Sequence, residues 1–420
     1  RLAPEFPWLT ALHTFGAPNE DFFVVSQPDA VQALAKLFRA TPMDTWRAYL
    51  VFHYLRRTSD ILPKAIDDAH FNFFGRVITG TLEQKDRWVR AVDDLNGSLL
   101  NEAVGQLYVK HHFGPQDKAD VEKLVSNLTV AYKKRISQLA WMSDETKSAA
   151  LKKLDKMQVK IGYPDKWRDY SSLSIVKGDA FGNRKRERIF ERDRDLKRLS
   201  EPADRSQWLM GPQTVNAYHH SAWNEIVFPA AILQPPFYDL AADEAVNYGS
   251  IGAVIGHEMG HGFDDQGAKT NADGVLKNWW SNRDKQRFKA LTEHLAKQYS
   301  TFEPLPGMHI NGHLTLGENI GDLGGLNVSL EAYKLSRKGK PALVLDGFSD
   351  IQRYFLGFSQ IWRTKIRDDA LRRQLIVDPH SPGKYRANGT VRNMDAWYRA
   401  FDVKSGDKLY LATNQRIRIW

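Results

Sequence analysis

The stretch His257-Glu258-Met259-Gly260-His261 constrains this chain more than any other. Residues four apart lie on one face of a helix, so His257 and His261 can point at one metal ion with Glu258 beside them. Two imidazoles and one further ligand leave Zn²⁺ an open position for water, and a nearby carboxylate can accept the proton of that water. The motif therefore predicts a helical zinc peptidase site, with a purely structural histidine pair as the alternative.

The residues before the motif favour the metal site. Ile251, Val254 and Ile255 make the preceding turns apolar, which predicts a helix buried on that side. A buried neutral histidine without a partner is costly, so a ligand role is favoured. We expect Ser250 to cap the helix and the small Gly260 to permit close packing beside the site.

The composition is typical of a soluble globular protein. The chain has 420 residues, of which 42% are hydrophobic, and this length normally forms two or more domains. It contains no apolar run long enough to span a bilayer, and it has no Cys, so His and carboxylates must hold any metal. Because the chain begins at Arg1 and shows no signal-like segment, we expect a processed or truncated product.

The net charge of +9 makes nucleic-acid binding an alternative function. However, 50 acidic residues accompany the 59 basic ones, and the densest run, over residues 184–198, alternates in sign. Such alternation is typical of a solvated helix face rather than a phosphate track. We also find no nucleic-acid-reading motif, so we expect no nucleic-acid partner.

The order of the patterns predicts an α+β protein that is mainly α-helical. Apolar residues repeat at three and four positions up to about residue 163, and the predicted helices cover 28–38, 45–55, 85–108, 118–139 and 144–157. A turn-rich connection is expected over about 161–211, followed by short strands over 214–218 and 225–229. Beyond the metal helix we predict helices over about 282–299, 316–336 and 350–364, and a loop-rich tail from 379.

The third metal ligand is sought downstream of the motif. The metzincin pattern fails because Asp264 and Gly267 occupy its Gly and His positions, and positions 280 and 281 lack the Glu of the thermolysin-like pattern. Glu318 and Asp322 lie four apart, so Glu318 can bind zinc while Asp322 accepts the free ring N–H of a ligand histidine. An exposed acidic pair at a helix start is the alternative, but the apolar and glycine neighbours favour burial.

These motifs together resemble the neprilysin (M13) family of zinc endopeptidases, and in particular its bacterial, PepO-like branch. The resemblance extends along most of the chain. Similar segments begin at Trp141, Ile161, Asn216, Asn224, Gln234, Asn247 and His380.

The resemblance implies a role for each residue of the motifs. His257, His261 and Glu318 would bind one Zn²⁺ ion, and Glu258 would polarise water and pass its proton to the leaving amine. Asp322 would be the hydrogen-bond partner of a ligand histidine, and Asp264 is a candidate for another.

Further residues are implied to meet the substrate. His380 would stabilise the oxyanion of the tetrahedral intermediate; without the resemblance it would be an ordinary exposed loop histidine. Arg386 would hold a substrate backbone carbonyl. Asn216, by its amide, and Ala217, by its backbone, would bind the peptide along an edge strand. An apolar pocket for the residue after the scissile bond would be lined by Ile232, Phe237, Val254, Ile361 and Trp362, which are otherwise core residues.

The resemblance implies a thermolysin-like zinc catalytic lobe and a helical cap domain that together enclose a central cavity. We expect the cap over residues 1–165, a linker over 166–210 and the catalytic domain over 211–420. The implied function is zinc-dependent hydrolysis of short peptides on the amino side of bulky hydrophobic residues. The alternative is a non-catalytic, zinc-containing peptide-binding or adhesion protein.

The resemblance also implies partners and a location. Family members carry roughly two hundred further residues upstream, so a missing N-terminal segment of the same polypeptide is a candidate partner. The absence of Cys favours the bacterial branch. We expect a periplasmic or secreted protein, with a cytoplasmic one as the alternative.

Overall fold

The computed structural model describes residues 2–17 and 23–420 and is mainly helical. Helix accounts for 58% and strand for 5% of it, which confirms the predicted class. The α-helices are α1 Trp8–Phe15, α2 Pro28–Ala40, α3 Met43–Arg57, α4 Lys64–His70, α5 Arg87–Gly97, α6 Asn101–His112, α7 Pro115–Gln138, α8 Asp144–Asp155, α9 Ala180–Leu199, α10 Glu244–Asn247, α11 Ala253–Gly260, α12 Asn282–Ser300, α13 Leu316–Ser336, α14 Asp350–Ile361, α15 Asp368–Val377, α16 Gly383–Val391 and α17 Asp395–Phe401. The strands are β1 Gln158–Gly162, β2 Tyr218–His220 and β3 Glu225–Pro229. No helix in the described residues is long and apolar enough to cross a membrane.

The contacts divide the chain into two compact units. The first comprises residues 1–77, 81–84 and 169–204, and the second the remaining residues. The predicted domain boundaries at 165 and 210 stay a prediction. Among the described residues of the first unit, Ala3 and Ala35 are the buried apolar ones, and α3 leaves Leu50 and Phe52 more than half exposed.

Helix α9 occupies much of the region where a turn-rich connection was expected, so that expectation is wrong. The carboxylate of Asp179 caps the helix by accepting the N–H of Gly182 at 2.9 Å. None of its residues is buried, as predicted for a solvated face. The apolar period that reveals a helix in a sequence is therefore absent from α9, and its charged residues conceal it.

The second unit holds the small sheet, in the order β1-β3-β2. Strand β3 pairs in parallel with β1, with Val159 opposite Ile226, and antiparallel with β2, with His219 opposite Ile226. The strand predicted over 225–229 is confirmed, but the one predicted over 214–218 begins only at Tyr218. Strand β1 was not predicted, because its pairing partner lies far away along the chain.

The metal motif ends a continuous helical run. Helix α10 continues through a π-helical turn, Tyr248–Gly252, into α11. Ser250 lies inside that turn, and its hydroxyl donates to the carbonyls of Phe237 at 2.6 Å and Val246 at 2.7 Å. The predicted cap at Ser250 is therefore wrong, because its hydroxyl ties the helix to the preceding segment instead.

Helix α11 packs on α13 through glycines. A Cβ atom on Gly256 would lie 2.8 Å from the Cα of Gly325, and one on Gly325 would lie 2.4 Å from the backbone nitrogen of His257. Neither spacing can hold a side chain, so the two helices approach more closely than larger residues would allow. Gly260 packs between Gly321 of α13 and the buried Tyr132 of α7, in agreement with the predicted close packing.

The C-terminal region contains two helices, α16 and α17, rather than the predicted loop-rich tail. Pro382 immediately precedes α16 and is well suited to a helix start. The chain ends inside the core, where Trp420 is 2% exposed and Arg135 of α7 donates to its carbonyl.

Candidate metal centre and active site

The two motif histidines share one face at the end of α11. Their ring centroids are 4.5 Å apart and the ring planes lie at 86°. His257 is buried, and the side chain of His261, one residue beyond the helix, is 18% exposed. The predicted i, i+4 spacing thus brings two imidazoles to one point at the wall of a cavity.

The first turn of α13 brings Glu318 to the same point. Its Oε2 atom lies 3.2 Å from Nε2 of His257, and its Oε1 atom lies 3.6 Å from Nε2 of His261. One ligand atom from each of the three residues falls within 4.8 Å of the others. Oε2 of Glu318 is buried, and the Nε2 atoms of His257 and His380 each lie 3.2 Å from it. Two imidazole nitrogens and a carboxylate oxygen fit the donor set of Zn²⁺.

Two carboxylates hold the far nitrogens of the histidines. Nδ1 of His257 lies 2.9 Å from Oδ1 of Asp322, and Nδ1 of His261 lies 2.7 Å from Oδ2 of Asp264. A carboxylate on Nδ1 keeps the proton there, which leaves the Nε2 lone pair free to face Glu318. Each imidazole can therefore offer Nε2 to a metal ion, which would replace the second ring proton that the nearby carboxylates favour.

Burial and close charges shift the pKa values in the centre. Burial lowers the pKa of His257, but hydrogen bonds to Asp322 and Glu318 outweigh it and raise that pKa to about 10. Burial raises the pKa of Glu318, but hydrogen bonds to His257 and His380 bring it well below its usual range. For Glu258, burial raises the pKa against the opposing effect of the two histidines. A carboxylate made more basic by burial is suited to accept a proton.

Arg386, from α16, binds the carboxylate of Asp322 with two hydrogen bonds. Nε reaches Oδ2 at 2.7 Å and Nη2 reaches Oδ1 at 2.7 Å. The guanidinium also lies 4.0 Å above the ring of Trp362. The arginine is buried and lines the cavity, so its charge balances that of Asp322 beside the histidines.

His380 lies in the segment between α15 and α16 and reaches the same centre. Its Nε2 is 3.2 Å from Oε2 of Glu318, and its Nδ1 is 2.8 Å from Oδ1 of Asp378. The imidazole is 47% exposed, in contrast to His257. A hydrogen bond to Glu318 raises the pKa of His380.

A cavity of 470 Å³ lies over the centre. The predicted residues among its lining are Asn216, Ala217, Ile232, Phe237, Val254, His257, Glu258, His261, Glu318, Asp322, Trp362, His380 and Arg386. The cavity lining does not include Ile361, which packs into the core at 8% exposure. Asn216 and Ala217 precede β2 instead of lying within a strand, and Oδ1 of Asn216 accepts the N–H of Ala217 at 2.9 Å.

The sequence interpretation missed several residues of the lining. These are Val215, Tyr218, His219, Ala253 and Phe358. Of these, His219 has a polar ring, whose centroid lies 6.4 Å from that of His261, and burial lowers its pKa to about 3. Its signal in the sequence was its place two residues after Ala217, since alternate residues of a strand share one face.

Two models of peptidase family M13 match the chain, over residues 1–164 and 216–417. An endothelin-converting enzyme homolog of Locusta migratoria is 36% identical over 371 residues, which are 86% of this chain and 51% of that protein. Neprilysin of Homo sapiens is 33% identical over 416 residues, which are 96% of this chain and 55% of that protein. The chain therefore spans about half the length of these relatives.

Solved structures resemble the chain over nearly its whole length. The zinc metalloprotease Zmp1 of Mycobacterium tuberculosis, in complex with an inhibitor, is 47% identical with a TM-score of 0.91, and the match covers 98% of this chain and 65% of that one. PepO of Lactobacillus rhamnosis is 33% identical with a TM-score of 0.85, covering 93% and 60%. These similarities confirm the predicted fold class.

Proposed function

We propose, because the chain belongs to peptidase family M13, that it is a zinc-dependent endopeptidase acting on short peptides. The observation that carries the proposal is the convergence of His257, His261 and Glu318 within 4.8 Å, with Glu258 on the wall of the same cavity. A site with ligands, a base and an adjoining substrate cavity meets the requirements of metal-assisted hydrolysis.

His257, His261 and Glu318 would hold the metal. A Zn²⁺ ion bound there supplies a Lewis acid that polarises water and the scissile carbonyl. Asp322 and Asp264 keep the proton of each imidazole on Nδ1, so that both histidines bind through Nε2. We propose Asp322 as the residue that orients His257 rather than as one that touches the substrate.

Glu258 is the proposed general base. It follows His257 directly in the chain, is buried, and lines the cavity. Burial raises its pKa and so strengthens its basicity. It would take a proton from the attacking water and deliver it to the nitrogen of the leaving amine, so that the C–N bond breaks and a neutral amine departs.

His380 and Arg386 are the proposed electrostatic contacts to the substrate. The imidazole of His380 is half exposed in the cavity, and Asp378 fixes its Nδ1. The raised pKa of His380 favours the imidazolium, whose Nε2–H would donate to the carbonyl oxygen as negative charge develops there. Arg386 is bound to Asp322 through Nε and Nη2, so the rest of its guanidinium would hold a substrate carbonyl.

The substrate contacts are proposed from the lining of the cavity. The segment Asn216-Ala217 lies just before the edge strand β2, where an extended peptide could add as a further strand. Ile232, Phe237, Val254 and Trp362 supply apolar surface, which favours a bulky hydrophobic side chain after the scissile bond. A cavity of 470 Å³ holds a few peptide residues rather than a folded domain.

We further propose that the protein acts outside the cytoplasm, in the periplasm or after secretion. The absence of Cys removes any dependence on the redox state of the compartment. Fractionation of the source cells, followed by immunodetection, tests this location.

The proposed function is tested by incubating zinc-loaded protein with a panel of unstructured peptides and mapping the cut sites by mass spectrometry. Glu258→Gln keeps the size of the side chain but removes the base, so we expect cleavage to fall by at least about 100-fold while zinc binding persists. Glu303→Gln, outside the cavity lining, is the matched control and should cleave normally. Full cleavage by Glu258→Gln would reject the mechanism. Zinc binding without any cleavage by the wild type would favour the peptide-binding alternative.

A further inference from the structure

Lys153 of α8 is a buried cation that the proposed mechanism does not use. It is 0% exposed, and its ammonium donates to the carbonyls of Gly267 at 2.8 Å and Thr270 at 2.8 Å and to Oγ1 of Thr270 at 3.2 Å. In the described part of the chain, no carboxylate oxygen lies within 4.0 Å of it. Burying an ammonium without a partner of opposite charge is costly, so the hydrogen bonds that it makes must serve the structure.

Gly267 connects this cation to the metal centre. Its carbonyl accepts from Lys153, and its N–H donates to Oδ1 of Asp264 at 2.7 Å. The loop is tight, since a Cβ atom on Gly267 would lie 1.8 Å from the carbonyl oxygen of His261. The backbone of a single residue thus bonds the buried cation through its carbonyl and the buried carboxylate through its N–H.

Asp264 completes the connection. It is 4% exposed, its Oδ1 also accepts the N–H of Gln266 at 2.8 Å, and its Oδ2 holds Nδ1 of His261 at 2.7 Å. The orientation of the His261 ring therefore depends on where the loop places this carboxylate. The loop in turn is held by the three hydrogen bonds that Lys153 donates to Gly267 and Thr270.

We propose that Lys153 is a positioning residue of the metal centre, which holds the 264–270 loop so that Asp264 fixes the tautomer and orientation of His261. The inference rests on the proposed role of His261 as a zinc ligand. Lys153 touches neither the cavity nor the three ligands, so it would act only through Gly267 and Asp264.

The surroundings of the ammonium favour its charged form at neutral pH. The rings of Phe263 and Trp279 lie 6.0 and 5.8 Å from it, within the range of cation–π attraction. Burial lowers the pKa of Lys153 to about 8, and the negative charge of Asp264 opposes that shift.

The test measures zinc affinity by competition with a chelator, without any peptide. Lys153→Met keeps the length of the side chain and removes the charge and all three donors. We expect its zinc affinity to fall about tenfold, the lower end of the range for groups that orient metal ligands. Lys156→Met is the matched control, because Lys156 lies three residues after Lys153 and forms a half-exposed ion pair with Asp273 instead of bonding the loop. Its zinc affinity should stay within about twofold of the wild type.

A double-mutant cycle separates positioning from general stability. If Lys153 acts through Asp264, the zinc affinity of Lys153→Met combined with Asp264→Asn should lie close to that of Asp264→Asn alone. If the losses of zinc affinity caused by the two single substitutions instead multiply in the double variant, Lys153 and Asp264 act independently and the inference is overturned. Should Lys153→Met not fold, Lys153→Gln, whose polar amide is uncharged and one atom shorter than the lysine ammonium, is measured by the same criterion.

The outcomes distinguish this inference from the proposed function. Wild-type protein and Lys153→Met that bind zinc equally tightly would overturn the inference alone, even if the variant is less stable. A wild-type protein that binds no zinc would overturn the proposed function and the inference with it. If zinc binds but no peptide is cleaved, that result would count against the proposed function and not against the inference about Lys153.

Discussion

Oδ1 of Asp322 lies 2.9 Å from Nδ1 of His257 inside the core, where both residues are buried. The same carboxylate carries two hydrogen bonds from Arg386. Asp322 thus faces two groups with opposite requirements: an imidazole that must stay neutral to bind metal and a guanidinium that stays charged. Its single negative charge satisfies both, which explains why a carboxylate, and not an amide, is suited to this position.

Asp322→Asn is therefore expected to damage metal binding. The amide can no longer balance Arg386, and its NH₂ group can oppose the Nδ1–H of His257. We expect zinc affinity to fall by about 10- to 100-fold, as measured by chelator competition. Asp350→Asn, whose carboxylate accepts from Tyr333 away from the cavity, is the control and should bind zinc normally. Unchanged affinity in Asp322→Asn would contradict the orienting role.

The close packing of α11 on α13 predicts the effect of one added methyl group. Gly325→Ala would place a Cβ atom 2.4 Å from the nitrogen of His257, so the helices must separate. Separation moves Glu318 away from both histidines, and we expect a loss of about 1–3 kcal/mol of stability together with weaker zinc binding. Chemical denaturation and zinc titration measure the two effects.

Gly97→Ala provides the matched control for that substitution. Gly97 ends α5, and no atom lies within 4 Å of a Cβ placed there. The same chemical change should be neutral, or stabilise the protein by up to about 1 kcal/mol. If Gly325→Ala behaved like Gly97→Ala, the described approach of the two helices would be wrong.

Val254 offers a test of the proposed apolar pocket. Val254→Phe adds bulk to the lining without adding a polar group, so the space for a large side chain shrinks. We expect the ratio of kcat/KM for peptides with Leu or Phe after the cut to that for peptides with Ala to fall by about tenfold or more. Val344→Phe, at a 69% exposed position, should leave the ratio unchanged. A preserved preference in Val254→Phe would place the pocket elsewhere.

Asp284 predicts a dependence of stability on pH. This residue at the start of α12 is 0% exposed and accepts hydrogen bonds from the backbone and hydroxyl of Ser143. Burial raises its pKa, but hydrogen bonds to Ser143 and Thr146 outweigh it and lower the pKa from 3.8 to about 2. A carboxyl group whose pKa is lower in the folded state stabilises the protein fully above its unfolded pKa, and that stability is lost as the pH falls towards the folded pKa.

The free energy of unfolding should therefore contain a contribution from Asp284 that is constant above about pH 4 and disappears towards pH 2. Urea denaturation of the wild type and of Asp284→Asn at several pH values measures it. The variant should be less stable at neutral pH, and the difference should shrink below pH 4. A difference that does not change with pH would contradict the shifted pKa.

The sequence predicted the helices that carry the candidate metal site, because their signals are local. Helix α13 has almost the predicted bounds, since its apolar residues and glycines repeat at helical spacing over 21 residues. His257 and His261 needed only one turn of helix to meet. Sequence spacing alone does not place α13 against α11. The prediction that Glu318 joins the two histidines therefore depended on recognising the class of zinc-peptidase motif.

Features that depend on distant contacts could not be predicted from the sequence. Strand β1 forms only through parallel pairing with β3, more than sixty residues later. Ile361 and Trp362 are neighbours with similar apolar character, yet only Trp362 faces the cavity. Helix α9 has no buried face, so the pattern that identifies most helices is missing. Each of these features depends on which parts of the segment are buried by residues distant in the sequence, and that cannot be read from the local pattern.

The π-helical turn at Tyr248–Gly252 determines the direction around the helix axis in which the side chains of α11 point. Such a turn accommodates one residue more than an α-helical turn, and each residue of an α-helix advances the side chains by about 100° around the axis. Loss of one residue there would leave both histidines, their spacing and their chemistry intact but would rotate them together, away from Glu318. The direction in which both histidines point therefore depends on the number of residues in a turn that lies at least one helical turn before His257.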